Sequence, residues 1–158
     1  MTQAKLASQA SFTDLFGHLA IRALSWKEPY ATLMLHGKIE TRRWATTYRG
    51  LVLICASKTP YTYRQTESIS GEKQLKRMYA LFQFAISPLH CGYAIAIGEL
   101  VDCRHMRPED EDKCFVRHYS DLYCHVYANV RPIQPIEWKG SQGWRVLSEE
   151  QKARIHLL

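Results

Sequence analysis

Hydrophobic and polar positions follow two periods along this chain, and each stretch keeps to one of them. Residues 51–56 form an unbroken apolar run of strand length, which predicts a central strand. Residues 93–101 read as a second strand, where Gly98 marks a bulge or a close backbone approach. Over 122–130 the alternation is strict, with Leu122, Cys124, Val126, Ala128 and Val130 inward and Tyr123, His125, Tyr127 and Asn129 opposite. Pro132 and Pro135 lack the N–H that a ladder needs and predict an edge strand after it.

The helical period governs two other stretches. Pro29 opens a helix at the position where its missing N–H costs nothing. Tyr30, Leu33 and Met34 share a face, and Gly37 supplies the left-handed stop. A second helix is predicted over 72–86, carried by Leu75, Met78, Tyr79, Phe82 and Ile86 and ended by Ser87 and Pro88. Residues 59–70, rich in Tyr, Thr and Ser, read as a long loop. One acidic turn is expected after Pro108, and Ser148 with Gln151 forms a capping box for a short terminal helix. Strands mixed with two principal helices predict an α+β domain over 23–158. Residues 1–22 form an N-terminal extension with at most a short helix after Ser11 or Thr13.

Composition narrows the class. At 158 residues the chain suits one domain with its own core. The net charge of +6 suits a polyanionic partner. Arg42, Arg43, Arg49, Lys58, Arg64, Lys73, Lys76 and Arg77 fall in the first half, against an acidic run at 109–112, so a basic side with the acidic end facing away is expected. The five cysteines are odd in number and lack CxxC spacing, which fits free thiols in a reducing compartment. His lies near Cys at 90–91, 103–105, 114–118 and 124–125, but none of these spacings is a familiar zinc knuckle, so no metal is expected. Neither a signal-peptide pattern nor a membrane-length apolar run stands out, and a cytoplasmic protein is the expectation.

Candidate chemistry concentrates in Gly37-Lys38-Ile39-Glu40-Thr41-Arg42-Arg43-Trp44. In an extended chain Lys38, Glu40 and Arg42 share a face, spaced about 6.6 Å apart. Such a row can bind an anion, accept a hydrogen bond from an amino group such as that of cytosine, or move a proton. Trp26, Tyr30, Trp44 and Tyr48 lie close in sequence and offer faces for an unpaired base. The alternative is a solvated strand edge of paired charges with aromatic rings in the core.

The surrounding order resembles the ASCH domain, a branch of the PUA-like superfamily. It is carried by Ser25 and the Pro29-Tyr30-Ala31 helix start, by Gly37, Lys38, Glu40 and Arg42, and by Trp44 with Tyr48-Arg49-Gly50. The strand ending in Ala56-Ser57-Lys58 and the closing segments 129–133 and 139–143 complete it, over roughly residues 23–147. The family pattern is longer between its Gly and its Glu, so Lys38 occupies a neighbouring position. The resemblance implies a small, partly open PUA-like barrel. It also implies RNA or a nucleotide as partner, held in a basic cleft by Ser25, Trp26, Tyr30, Arg42, Trp44, Arg49, Ser57 and Lys58, with no cofactor. Two enzymatic precedents come with it: ribonuclease activity, and hydrolysis of the acetyl amide of acetylcytidine. The amidohydrolase branch has a Thr where Glu40 stands, so its triad does not carry over. For RNA cleavage, Lys38 or Glu40 would act as base, with Arg42 or Lys58 stabilising the phosphorane. A binding module is the first expectation, a hydrolase the alternative, and a protein-interaction domain the third.

Overall fold

The computed structural model describes residues 12–82 and 90–158. It is α+β, built on a six-stranded mixed sheet in the order β2-β5-β4-β3-β1-β6. The strands are β1 (Ile21–Trp26), β2 (Glu40–Arg42), β3 (Gly50–Ala56), β4 (Tyr93–His105), β5 (Tyr123–Glu137) and β6 (Arg145–Val146). β1 runs parallel to β3, and the other neighbours are antiparallel. The strand expected at 51–56 is central, between β1 and β4.

β3 reads as an unbroken apolar run because both of its faces are covered. Val52, Ile54 and Ala56 join the larger core with Leu24, Trp26, Leu33, Met34, Leu75 and Met78. Leu53 and Cys55 point the other way, into a second core with Phe12, Ile21, Leu147 and Ile155. Ile21 and Arg22, expected in the N-terminal extension, are the first residues of β1. Phe12 belongs to the helix α1 (Phe12–Phe16), and residues 1–11 lie outside the described part.

The Pro29 helix is short. One α-turn, α2 (Tyr30–Leu33), passes into a 3-10 turn (Met34–His36) that Gly37 ends at φ 83°. The expected loop at 59–70 is instead largely helical, as α3 (Tyr63–Ser70). Thr62 and Gln65 cap it reciprocally: the Gln65 N–H donates to Thr62 Oγ1, and the Thr62 N–H donates to Gln65 Oε1. Polar composition suggests a loop there, but the helix needs only a few inward residues, and Thr66 and Ser70 fill that role. α4 (Glu72–Leu81) follows, and the rest of the helix expected to 86 falls largely outside the described residues.

β4 and β5 run farther than their apolar patterns, and their register shifts between Ala94 and Ala96, between Ile97 and Glu99, and between Leu100 and Asp102. Gly98 sits within this region, and a Cβ there would lie 3.0 Å from Val130 Cγ2. β5 continues through Pro132 and Pro135 into Glu137. In that half its other edge takes bonds from the chain end, where the Gln134 N–H donates to the His156 carbonyl and the Leu158 N–H to the Pro132 carbonyl. α5 (Glu111–Cys114) follows a 3-10 turn (Pro108–Asp110), and α6 (Glu149–Ala153) carries the expected Ser148–Gln151 cap.

The charge separation expected from sequence does not hold. Asp112 meets Lys73 Nζ at 3.1 Å and accepts from Gln74 Nε2 at 2.7 Å, so the acidic run docks on the basic face of α4. Asp110 takes a two-pronged bond from Arg104, at 2.7 and 2.9 Å. No helix among the described residues is long and apolar enough to cross a membrane. Replacing Thr62 by Ala removes one half of the α3 cap and should lower unfolding stability by about 1 kcal/mol in a urea titration, with an unchanged m-value.

Candidate functional site

The sheet curls until its two edges approach each other, and side chains rather than a ladder close the gap. Arg42, on β2, donates from Nη2 to the Ser25 carbonyl of β1 at 2.9 Å. Just beyond β2, Trp44 packs edge-on against Trp144, which precedes β6, with centroids 5.8 Å apart. The cleft lies along this seam.

Its floor is organised by Glu40. Gly37 turns the chain out of the 3-10 turn, and the Lys38 N–H donates back to the Leu33 carbonyl. The Ile39 N–H donates to the Lys113 carbonyl, and β2 then pairs with β5, placing Glu40 opposite His125. Glu40 is 6% exposed. Its Oε1 accepts from the Thr41 N–H at 2.9 Å and is ion-paired with Lys38 Nζ at 3.2 Å. Its Oε2 accepts from Arg42 Nε at 3.2 Å and is ion-paired with Nη2 at 3.0 Å. The carboxylate thus has two hydrogen bonds and a cation on each side. Burial pushes the Glu40 carboxyl up, but Lys38, Arg42 and the Thr41 amide outweigh it and hold the group below the ordinary range.

Rings frame the two cations. Lys38 Nζ lies 5.5 Å from the Tyr30 centroid, and the Arg42 guanidinium lies 5.1 Å from that of Trp26 and 5.9 Å from that of Trp44. The Tyr30 hydroxyl bonds Ser70 Oγ, and burial raises its pKa. The cleft above has a volume of about 530 Å³. Of the residues singled out from sequence, Lys38, Glu40, Arg42, Ser25, Trp26, Tyr30, Trp44 and Ser57 all line it. Lys58 lines an adjoining depression that shares Ser25, Ser57 and Gln142 with the cleft. Arg49 lines neither and instead donates to the Thr46 and Tyr48 carbonyls of its own turn. Tyr48 is likewise committed elsewhere, under the Arg22 guanidinium at 4.2 Å and donating to the Leu51 carbonyl at 2.7 Å.

Several residues join the site that the sequence pattern does not single out. Tyr61 and Lys27 line the cleft, and Lys27 Nζ lies 5.2 Å from the Tyr61 centroid. Ser141, Gln142 and Gly143 line its far side. Their loop packs so closely that a Cβ on Gly140 would lie 2.9 Å from Ser25 Oγ. His125 is fully buried and donates from Nε2 to the Trp44 carbonyl at 2.8 Å. Burial lowers its pKa, and Nδ1 has no partner among the described residues. The glycines of 139–143 hint at the loop in advance, whereas nothing local distinguishes His125 from any other strand histidine.

No protein-family model matches the chain, and no curated protein sequence matches it. Among solved structures the chain is similar to the crystal structure of a Tyr-to-Phe mutant of ZmASCH from Zymomonas mobilis. The match has a TM-score of 0.53 and 13% sequence identity, over 85% of this chain and 98% of that chain. The chain therefore has an ASCH-like fold, in the α+β, partly open barrel expected from its motifs.

Replacing Glu40 by Gln leaves Lys38 and Arg42 without their counter-charge and should cost about 3 kcal/mol of stability in chemical denaturation. The carboxylate's contribution is full above the ordinary glutamate range and fades as pH falls through and below about 4.3, because folding holds Glu40 in its ionised form. Denaturation of both proteins between about pH 3 and 7 should show their stability difference shrinking at the acid end.

Proposed function

We propose that the protein binds single-stranded RNA or a nucleotide in the seam cleft, as a binding module. The observation that carries this reading is a buried carboxylate that fixes two cations among aromatic rings. Trp44 and Tyr61 offer accessible rings to the cleft, while Trp26 and Tyr30 are buried in the core, and accessible aromatic faces stack unpaired bases whatever their sequence. Cations continue past it on both sides. Lys58, Lys139 and Arg154 line the depression beyond Ser57, and Arg43 and Arg117 line another that shares Arg42, Tyr61 and Ile69 with the cleft. Such continuity suits an extended strand, whose phosphates would follow the cations while its bases turn inward.

The state of Glu40 weighs against the hydrolase alternative. A general base needs a free lone pair near the proton it takes. Lys38 and Arg42 hold the carboxylate in its ionised form, which makes it a weak base. Lys38 is committed as a donor to Glu40 and, at 3.0 Å, to the Ile39 carbonyl. Both groups hold the cleft's shape rather than presenting a reactive atom.

A fluorescently labelled single-stranded RNA oligomer titrated at low salt should bind, with affinity falling as salt rises. Lys58→Ala and Lys139→Ala should each reduce the salt slope by roughly 0.7 if each residue meets one phosphate. Arg49→Ala, whose guanidinium caps its own turn, should leave both affinity and slope unchanged. Absence of binding at low salt would remove this reading, and shortening of the RNA during incubation would restore the hydrolase alternative.

A further inference from the structure

Trp44 is the open indole of this chain. Trp26 is buried and Trp138 and Trp144 are half-buried, whereas Trp44 is 36% exposed. A large ring left open at the rim of a cleft points to a contact surface. Trp44 also belongs to two depressions. It lines the cleft and, beyond it, a shallow hollow of about 630 Å³ that Ala45, Thr46, Thr47, Gly143 and Trp144 complete.

The hollow differs from the cleft in its chemistry. Lys27 and Arg42 line the cleft, and Arg43 and Arg117 line the depression that adjoins it. No charged side chain lines the hollow. Its walls include two indoles whose planes stand at 77°, with centroids 5.8 Å apart. Rings so placed form a corner, where a flat group stacked on one ring meets the other edge to face. Both walls are already held. His125 Nε2 donates to the Trp44 carbonyl and its ring lies 4.9 Å from that of Trp44, while Trp144 packs 5.3 Å from Tyr48. A group entering this corner therefore pays little for ordering it.

We infer that the corner is a second base subsite, so that the strand lays one base in the cleft and its neighbour on Trp44 and Trp144. This deepens the RNA reading and rests on it. The occupant is a base of the same strand, because the hollow continues from the cleft through Trp44 and its uncharged lining suits the ring rather than the phosphate. The linking phosphate stays on the cationic side, where Arg42 and Arg43 stand. Two adjacent nucleotides then form the binding unit, and a free mononucleotide fills half of it.

The test uses the wild-type full chain and labelled single-stranded oligomers of one length, in which abasic residues replace every base, every base but one, or every base but two neighbours. The number of phosphates is constant, so differences in affinity report the bases alone. The second adjacent base should tighten binding by roughly tenfold over the first. Two bases separated by an abasic stretch should bind much as one does. Trp144→Leu should abolish the second gain and spare the first, and Trp144→Phe, which keeps a flat ring, should retain most of it. Ala45→Leu crowds the hollow from its exposed rim and should lower the second gain without disturbing the core. Equal affinity for one base and for two neighbours in the wild type, a comparison that needs no variant, would overturn the inference. It would leave the RNA reading standing and the hollow to an apolar side chain of a protein partner. A second gain that persists in full in Trp144→Leu and Ala45→Leu would overturn it too, placing the second base elsewhere. Failure of every oligomer to bind at low salt would remove both readings.

Discussion

The Glu40 carboxylate is the interaction on which the site depends. It is buried at a strand edge, and that position is tolerable only because Arg42 and the Thr41 amide donate to it and Lys38 neutralises it. A buried ion pair contributes little net stability against a well-packed apolar alternative. What this triad provides is position. Arg42, oriented by Glu40, reaches across to the Ser25 carbonyl and stacks near Trp26 and Trp44. Lys38 is drawn beneath Tyr30. One carboxylate thus sets the geometry of both walls.

Those walls depend in turn on the parallel pairing of β1 with β3. Ser25 pairs in register with Cys55 and Trp26 with Ala56, and the Ser57 N–H donates to the Trp26 carbonyl at 2.8 Å. Two segments some thirty residues apart therefore leave the sheet side by side, at the mouth of the cleft. The segment between them supplies α2 and β2, so the crossover that a parallel pair requires also carries the charged row.

Local signals were the legible part of the sequence. Gly37 marks the end of the 3-10 turn and Ser148 with Gln151 the start of α6, because each cap is encoded within a few residues. The period-two spacing of Lys38, Glu40 and Arg42 correctly places them in one cleft. Thr62 and Gln65 carry an equally local cap, but α3 buries only Thr66 and Ser70 and so shows no apolar stripe to accompany it. The extra length of β4 and β5 is set by pairing with each other, which no single stretch reveals. Spacing likewise cannot tell that Glu40 is buried between two cations, that Arg49 turns back on its own loop, or that Trp144 meets Trp44. Each of these follows from contacts distant in sequence.

Closing the barrel with side chains has a mechanical consequence. Backbone ladders resist separation along their whole length, because many hydrogen bonds must break together. Across the seam between β2 and β1 the ties include a guanidinium and an aromatic contact. Rotamer changes in a few residues can widen or narrow that gap while every strand pairing stays intact. The molecule is thus stiff along its sheet and compliant across its seam, and what it accommodates is governed by the elastic cost of that one direction.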